Sequence, residues 1–308
     1  MINGPLLLRM SDRLLPGVGA RRWRPNRVLR HLRRSPSGIA GGVIVLGALV
    51  VALVGPWIAP SDPNMAHLDR VLRPPAWMPG GDRTNLLGTD TLGRDLLARV
   101  IYGARISLTV GLLAVALSAP LGVIVGMTSG YFGGAWGQIT MRIADGQLAI
   151  PFLLLGIAVV GVLGPTLRNV ILVLGVSGWV LYARVARAET LSVRNKEFVE
   201  AACAAGCSDW RIISRHILPN LLTPVTVIAT FAVAHMILVE SSLSFLGLGV
   251  PPPTPTWGAL LNDGLRYIEI AWWLSVFPGI AIAVSVLGVN LFGDWVRDYL
   301  DPRTRIIS

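Results

Sequence analysis

Glu240-Ser241-Ser242-Leu243-Ser244 sets one carboxylate among three hydroxyls at the end of an otherwise apolar run. That combination could relay a proton or hold a polar solute at membrane depth. Asp145, His235 and Asp294 also fall within or at the ends of uncharged stretches. A carboxylate at mid-bilayer costs about 2.5–3.5 kcal/mol, so each should face a cavity or a partner. Asp145 stands three residues after Arg142, and the two can pair on one helix face. Asp294 is read the same way, as a structurally paired group near one membrane surface. His235 could titrate near neutrality; the plainer reading is a bond to a neighbouring helix. Glu240, with Ser241, Ser242 and Ser244, either lines a pathway or braces its outer gate, and interfacial hydrogen bonding is the plainer alternative.

Other chemistries are excluded or weak. Cys203 and Cys207 are four apart. Metal binding needs more ligands nearby, and a reducing compartment disfavours a disulfide. They read as two small apolar residues on one helix face, and no metal site is expected. The chain has a single lysine, Lys196, within Arg194-Asn195-Lys196-Glu197. No Gly-Lys-Ser/Thr phosphate loop is therefore possible. No Ser/His/Asp set or His-Glu-x-x-His motif suggests catalysis, so the chain is not expected to be an enzyme on its own, nor to hold a cofactor.

These residues must be positioned by membrane helices. Of 308 residues, 53% are hydrophobic and 14% charged, against about 25% charged in a soluble domain. No Asp, Glu, Lys or Arg occurs in 35–61, 106–141, 146–167, 169–183, 217–239 or 270–293. A spanning helix needs about 20 apolar residues. The chain therefore reads as an all-α polytopic membrane protein with about six transmembrane helices, near 38–59, 106–129, 141–163, 167–187, 217–240 and 271–293. The fourth spans only if Arg168 and Arg184 snorkel at its ends. The first apolar stretch exceeds the usual signal-peptide core of about 7–15 residues and reads as a retained span.

Nine arginines precede residue 35, and with six spans one side holds 19 of the 27 basic residues. That bias puts both termini in the cytoplasm. The basic tail suits anionic lipid headgroups; no nucleic-acid recognition fold is visible, so no nucleic-acid partner is expected despite the net charge of +10.

Between the first two spans lies a Pro-rich outer segment ending in Leu87-Gly88-Thr89-Asp90-Thr91-Leu92-Gly93-Arg94-Asp95. Thr89 or Asp90 can cap a helix whose apolar face is Leu96, Leu97, Val100, Ile101 and Ala104. Gly122, Gly126 and Gly130 in span two, and Gly38 and Gly42 in span one, predict close helix packing, within the chain or against a partner subunit. Trp257, Trp272 and Trp273 fall where an interfacial aromatic belt is expected.

Residues 198–219 form a polar, helix-prone island between two apolar segments. Leu191, Phe198, Ala201, Ala202 and Ala205 fall near one helix face. Gly206 supplies a left-handed stop. Ser208 or Asp209 can cap a second short helix over 210–217. The product is a helix–turn–helix elbow on the inner membrane face, smooth enough for another protein's groove to receive it.

Glu200-Ala201-Ala202-x-x-x-Gly206 with Leu218-Pro219 resembles the "EAA" loop of ATP-binding-cassette (ABC) import permeases. Three more stretches resemble the C-type permease of dipeptide/oligopeptide importers: 87–95 with Gly103-Ala104-Arg105-Ile106-Ser107-Leu108, then 240–249 with Trp257-Gly258, and Asn290-Leu291-Phe292-Gly293-Asp294-Trp295 running on to Arg303. The resemblance covers roughly 36–303; the Arg-rich tail departs from it, and His216 stands where the general pattern has Ile. It implies a type I ABC importer permease fold: a basic cytoplasmic tail at 1–35, a permease domain at 36–303 with an outer segment at 60–105, a coupling loop at 188–219 and an outer loop at 247–270, and a cytoplasmic tail at 304–308. It implies coupling through Glu200, Ala201, Ala202, Gly206, Arg215, Leu218 and Pro219. It implies as partners a homologous B-type permease, two cytoplasmic ATPases that bind the ATP and Mg, and an extracytoplasmic substrate-binding protein, in a bacterial inner membrane. Di- or oligopeptides are the implied cargo, with nickel chelates or glutathione as alternatives. A proton-coupled secondary transporter is the rival reading, but such folds often carry internal repeats, and none is visible.

Overall fold

A computed structural model describes residues 31–32 and 35–300. The tails expected at 1–35 and 304–308 lie almost wholly outside the described residues. The described chain is helical, with one isolated bridge between Thr89 and Asp95. Its α-helices are α1 (Pro36–Ile58), α2 (Leu96–Phe132), α3 (Gly134–Leu148), α4 (Phe152–Leu163), α5 (Leu167–Ser177), α6 (Trp179–Arg194), α7 (Glu197–Ala204), α8 (Asp209–Ile212), α9 (Leu218–Phe245), α10 (Trp257–Leu265) and α11 (Trp273–Leu300).

Five stretches are long and apolar enough to cross a membrane: Pro36–Ile58, Leu96–Phe132, Leu167–Arg194, Asp209–Phe245 and Trp273–Leu300. The span expected at 141–163 is different. There α3 and α4 meet at a bend of 88°. Pro151 lacks an N–H and disfavours helical backbone at Ile150, which favours a break here, although Pro56, Pro120, Pro224 and Pro278 sit inside helices that run on. With 12 residues, α4 is about 18 Å long, too short for a hydrocarbon core of about 30 Å. The count reaches six only if this bent pair is one span.

The other spans run longer than hydropathy alone suggests. The amphipathic lead-in to span two is not a separate helix; it continues through Leu96–Phe132 without a break. Its cap is neither Thr89 nor Asp90. Asp95 takes the position and accepts from the Ala98 N–H at 2.8 Å. Before span five, Ile213–Ile217 forms a π-helical turn. Pro219 explains it, since a missing N–H two residues past the turn widens the ladder behind it. For span four, Arg184 does not simply snorkel: it donates to Asp145 of α3. Asp145 thus pairs across helices and not with Arg142 on its own helix. Asp294 is exposed, with no ion pair among the described residues.

The glycine patterns are spent inside the chain. A Cβ on Gly122 would sit 2.3 Å from the Trp179 carbonyl oxygen, and one on Gly126 would sit 2.2 Å from that of Ala183. These glycines let α2 and α6 touch backbone to backbone. On α1 Gly38 packs closely as expected, its Cβ position lying 2.5 Å from the Trp295 ring, but its close companion is Gly41, not Gly42: a Cβ on Gly41 would meet the Phe292 N at 2.4 Å, while Gly42 has 4.0 Å of clearance. Gly126→Leu should therefore cost at least the ~1–3 kcal/mol typical of overpacking, read as a lower thermal midpoint in detergent. Gly146→Leu, with nothing within 4 Å of its Cβ, is the matched control.

Two of the expected belt tryptophans are core residues. Trp257 donates its indole N–H to the Val100 carbonyl at 2.9 Å, and Trp273 donates to that of Thr89 at 3.3 Å. Both are buried, and Trp272 is half-buried. Trp57, at the end of α1, faces outward, 82% exposed.

Candidate functional site

At one end of the bundle, which we call the elbow end, α7 stops in a doubly bonded left-handed turn. Gly206 has φ +73°. Its N–H reaches the Cys203 carbonyl at 3.0 Å, and the Cys207 N–H reaches that of Ala202 at 3.1 Å. This is the Schellman arrangement, for which glycine is the preferred left-handed residue. The chain then reverses into α8 and α9.

The elbow is bolted to the bundle from beneath. Val199, Ile212, Ile213 and Ile217 are buried in one cluster with Val123, Met127 and Tyr131 of α2 and Ala186 and Val193 of α6. A polar brace joins the same parts. Arg194 donates to the Tyr131 carbonyl at 2.6 Å and lies 5.7 Å over its ring, and the Tyr131 hydroxyl donates to Asp209 at 2.7 Å. Asp209 is thus held as an acceptor for a residue 78 positions earlier and does not cap. Ser208 occupies the cap position of α8, without a side-chain bond. The second short helix ends at Ile212, where the π turn begins.

The face drawn from the sequence points away from the bundle. Leu191, Phe198, Ala201 and Ala205 are exposed, and Ala202 is half-buried. Glu200, Gly206, Arg215 and Pro219 are exposed, while Leu218 packs against the cluster beneath. A Cβ on Gly206 would meet nothing within 4 Å. Trp210 adds a large apolar side chain, 77% exposed, beside this face. Sequence reasoning missed Trp210, although an aromatic directly after Ser-Asp in a polar island is itself a signal. The two cysteines do not share a face: Cys203 is exposed and Cys207 packs into the cluster.

Toward the other end, Glu240 is 0% exposed. It accepts from Ser244 at 2.7 Å and lies 3.5 Å from the Ser241 hydroxyl. Ser107 of α2 and Thr256, which caps α10, complete a cage of hydroxyls around it. No cation pairs with it among the described residues. A Cβ on Gly258 would sit 2.2 Å from the Ser241 carbonyl oxygen, so α10 rests directly on α9. Glu240 and Ser244 are therefore sealed at a three-way junction. Of the four pathway candidates Ser242, which is half-buried, and Ser241, which is largely buried, line a cavity of about 370 Å³ with Leu238, Phe245, Leu246 and Leu261. His235 is exposed and touches the Phe152 ring, 6.3 Å between centroids. Glu240→Gln keeps the acceptor oxygen and the shape, whereas Glu240→Leu leaves buried hydroxyls without partners at about 1–3 kcal/mol. The expected order of thermal midpoints is wild type close to Gln, both above Leu.

The cap, residues 59–95, closes that second end. Asp90 is its hub, accepting from the Leu92 and Arg94 N–H groups at 2.9 Å, from Arg94 Nε at 2.7 Å and from Arg99. Asp95 also accepts from Asn85 at 2.8 Å. The conspicuous polar residues of 87–95 are thus committed to holding the cap together.

The C-terminal three-fifths of the chain, residues 120–306, matches the model of the binding-protein-dependent transport system inner membrane component family. The chain belongs to that family. As a transport permease of this kind it is an integral membrane protein and a transport subunit. Residues 24–75 also match the N-terminal TM domain of oligopeptide transport permease C. Among its relatives, the permease is 43% identical over 269 residues to the di/tripeptide transport system permease protein DppC of Pseudomonas aeruginosa, covering 87% of this chain and 89% of that one. It is 43% identical over 275 residues to the dipeptide transport system permease protein DppC of Escherichia coli, covering 89% and 92%. A chain of the inward-facing MetNI methionine ABC transporter shares the fold, with TM-score 0.50 and 18% identity over 66% of the permease and 94% of that chain.

Proposed function

We propose that this permease is one membrane subunit of an ATP-driven importer of di- and oligopeptides. It forms half of the pathway beside a homologous permease subunit. Cargo arrives from an extracytoplasmic binding protein at the cap end. The elbow end faces the cytoplasm, in keeping with the excess of arginine in its flanking segments. There the elbow seats in a groove of one of two ATPase subunits, which bind the ATP and Mg. Closure of the ATPases pushes the elbow and rocks the bundle as a rigid body.

The observation that carries this reading is the elbow's two-sidedness. Its underside is fused to α2 and α6 by a buried cluster and the Arg194–Tyr131–Asp209 brace. Its upper side offers small residues with an aromatic edge to whatever lies beyond. A force applied there reaches two spans without passing through a flexible joint. The peptide cargo is supported by the peptide permeases named above, at 43% identity over most of their length.

The test is uptake of labelled dialanine by cells carrying the complete transporter, with and without this chain. Uptake should fall to the background level without it. Unchanged peptide uptake would remove the cargo assignment. Retention of the ATPases by a chain lacking 197–212 would remove the elbow assignment.

A further inference from the structure

A second cavity, about 730 Å³, opens beside the end of α1, between Pro56 and Ala59, Tyr102 and Arg105 of α2, and Ser61 and Asp62 of the cap. Two opposite charges line it without pairing. Asp62 is exposed and accepts the Asn64 N–H through one oxygen, at 2.8 Å; its other oxygen has no partner among the described residues. Arg105 is exposed and makes no ion pair among the described residues. The Ser61 hydroxyl is buried without a hydrogen-bond partner. That oxygen has almost no accessible surface, so it does not face the cavity. A cavity lined by separated opposite charges fits a zwitterion.

Two elements fix its depth. α1 ends at Ile58, with Leu53, Trp57 and Ile58 exposed on its outer side. An exposed Trp at the end of a span marks the headgroup layer. On α2, Arg105 is the last charged residue before the uncharged stretch 106–141. α2 has 37 residues, about 55 Å, so it must extend past a hydrocarbon core of about 30 Å, and its charged residues Arg99 and Arg105 lie in its first turns. Both walls therefore bring the cavity to the level where phospholipid headgroups lie, next to an apolar helix surface along which acyl chains can run.

We propose that this cavity binds the headgroup of a zwitterionic phospholipid carrying a primary ammonium, the phosphoethanolamine type. The phosphate pairs with Arg105, and the ammonium donates to Asp62. Each contact is a charge-assisted hydrogen bond. Anchoring α1 to α2 and the cap through one lipid would steady the cap end of the bundle. The site is separate from the pathway candidates, so it stands or falls independently of the transport reading.

The experiment is native mass spectrometry of the full-length chain released from an equimolar mixture of phosphatidylethanolamine and phosphatidylglycerol. Wild type should retain the ethanolamine lipid over the glycerol lipid by about tenfold, the effect of one charge-assisted bond. Asp62→Asn should bring that ratio close to one. Arg105→Gln should lower retention of both lipids, and Arg105→Lys should keep most of it. Arg83→Gln, on the exposed cap away from the cavity, should behave as wild type. Equal retention of the two lipids by the wild-type chain overturns the proposal, and this needs no variant to fold. So does an unchanged preference in Asp62→Asn. Displacement of bound lipid by millimolar dialanine would also overturn it, because the cavity would then be a peptide subsite.

Discussion

Gly206→Asn should leave the permease folded and nearly as stable as wild type, yet sharply reduce peptide uptake. The two halves of that expectation have separate causes. Asparagine tolerates the left-handed backbone better than other side-chain-bearing residues, and at φ +73° that conformation is required. A Cβ at this position meets no atom of the chain within 4 Å. Within the chain, then, the substitution costs a few tenths of a kcal/mol to about 1 kcal/mol. Anything beyond that must come from outside. If the elbow sits in an ATPase groove, an added side chain at its tip meets the groove wall, where overpacking costs about 1–3 kcal/mol. Transport should drop about tenfold or more, with the ATPases lost on co-purification and the thermal midpoint moving by only a few degrees. Gly206→Asp should do the same. Full uptake by both variants would show that this turn is a structural stop and nothing more. Tyr131→Phe separates the next step: it deletes the hydroxyl that holds Asp209 but leaves the exposed face unaltered. ATPase retention should survive while the hydrolysis-to-uptake ratio worsens.

The spans were legible because a bilayer imposes a simple demand. Charge-free runs of the right length have few alternatives in lipid, and Pro36–Ile58 differs from the expected 38–59 only at its edges. Gly206 was legible for a related reason, since a glycine closing an Ala-rich helix has one common use. What hydropathy could not see was direction. The 141–163 stretch is apolar throughout its second half, but α3 and α4 turn by 88° at Pro151. Apolarity fixes the solvent a segment prefers and leaves its path open, and a proline marks a place where it can turn without requiring it, since Pro120 and Pro224 lie inside unbroken helices. Partnerships distant in sequence were equally hidden. Nothing in the local pattern ties Asp209 to Tyr131, Asp145 to Arg184, or Gly126 to the Ala183 backbone. Each local rule offered a nearer partner, Arg142 for Asp145 and the α8 cap for Asp209, and tertiary packing overrode it. The pathway serines show the same limit. Their spacing marks a polar patch on α9, but only the seating of Gly258 on the Ser241 backbone reveals that Glu240 is sealed.

Asp90→Ala should have the largest effect on stability of any single change in the cap. Asp90, Arg94 and Arg99 are all buried, and the Asp90 carboxylate is the shared acceptor for both guanidinium groups. Removing one member of a buried ion pair costs about 3–5 kcal/mol, because the opposite charge stays behind unpaired. Here two cations stay behind. The next carboxylate, Asp263 of α10, is 3.9 Å from Arg99 and half exposed, so it offers partial relief. Two backbone N–H groups, of Leu92 and Arg94, lose their acceptor as well. The turn they close contains Gly93, whose φ is +72° and whose Cβ position lies 1.8 Å from the His67 carbonyl oxygen. The 87–95 loop should therefore detach from the 67–73 segment it is hydrogen-bonded to, while the spans below persist. Limited proteolysis should show this as new cleavage confined to 60–95, with the span core protected. Asp90→Asn keeps the shape and one acceptor and should fall between wild type and Ala. Adding Arg99→Met to Asp90→Ala removes one stranded charge, so the double variant should be more stable than Asp90→Ala alone, a coupling of at least about 1 kcal/mol. If Asp90→Ala resists protease as wild type does, the two arginines have found water, and the cap is held by its apolar contacts with Trp273 and Leu96 instead.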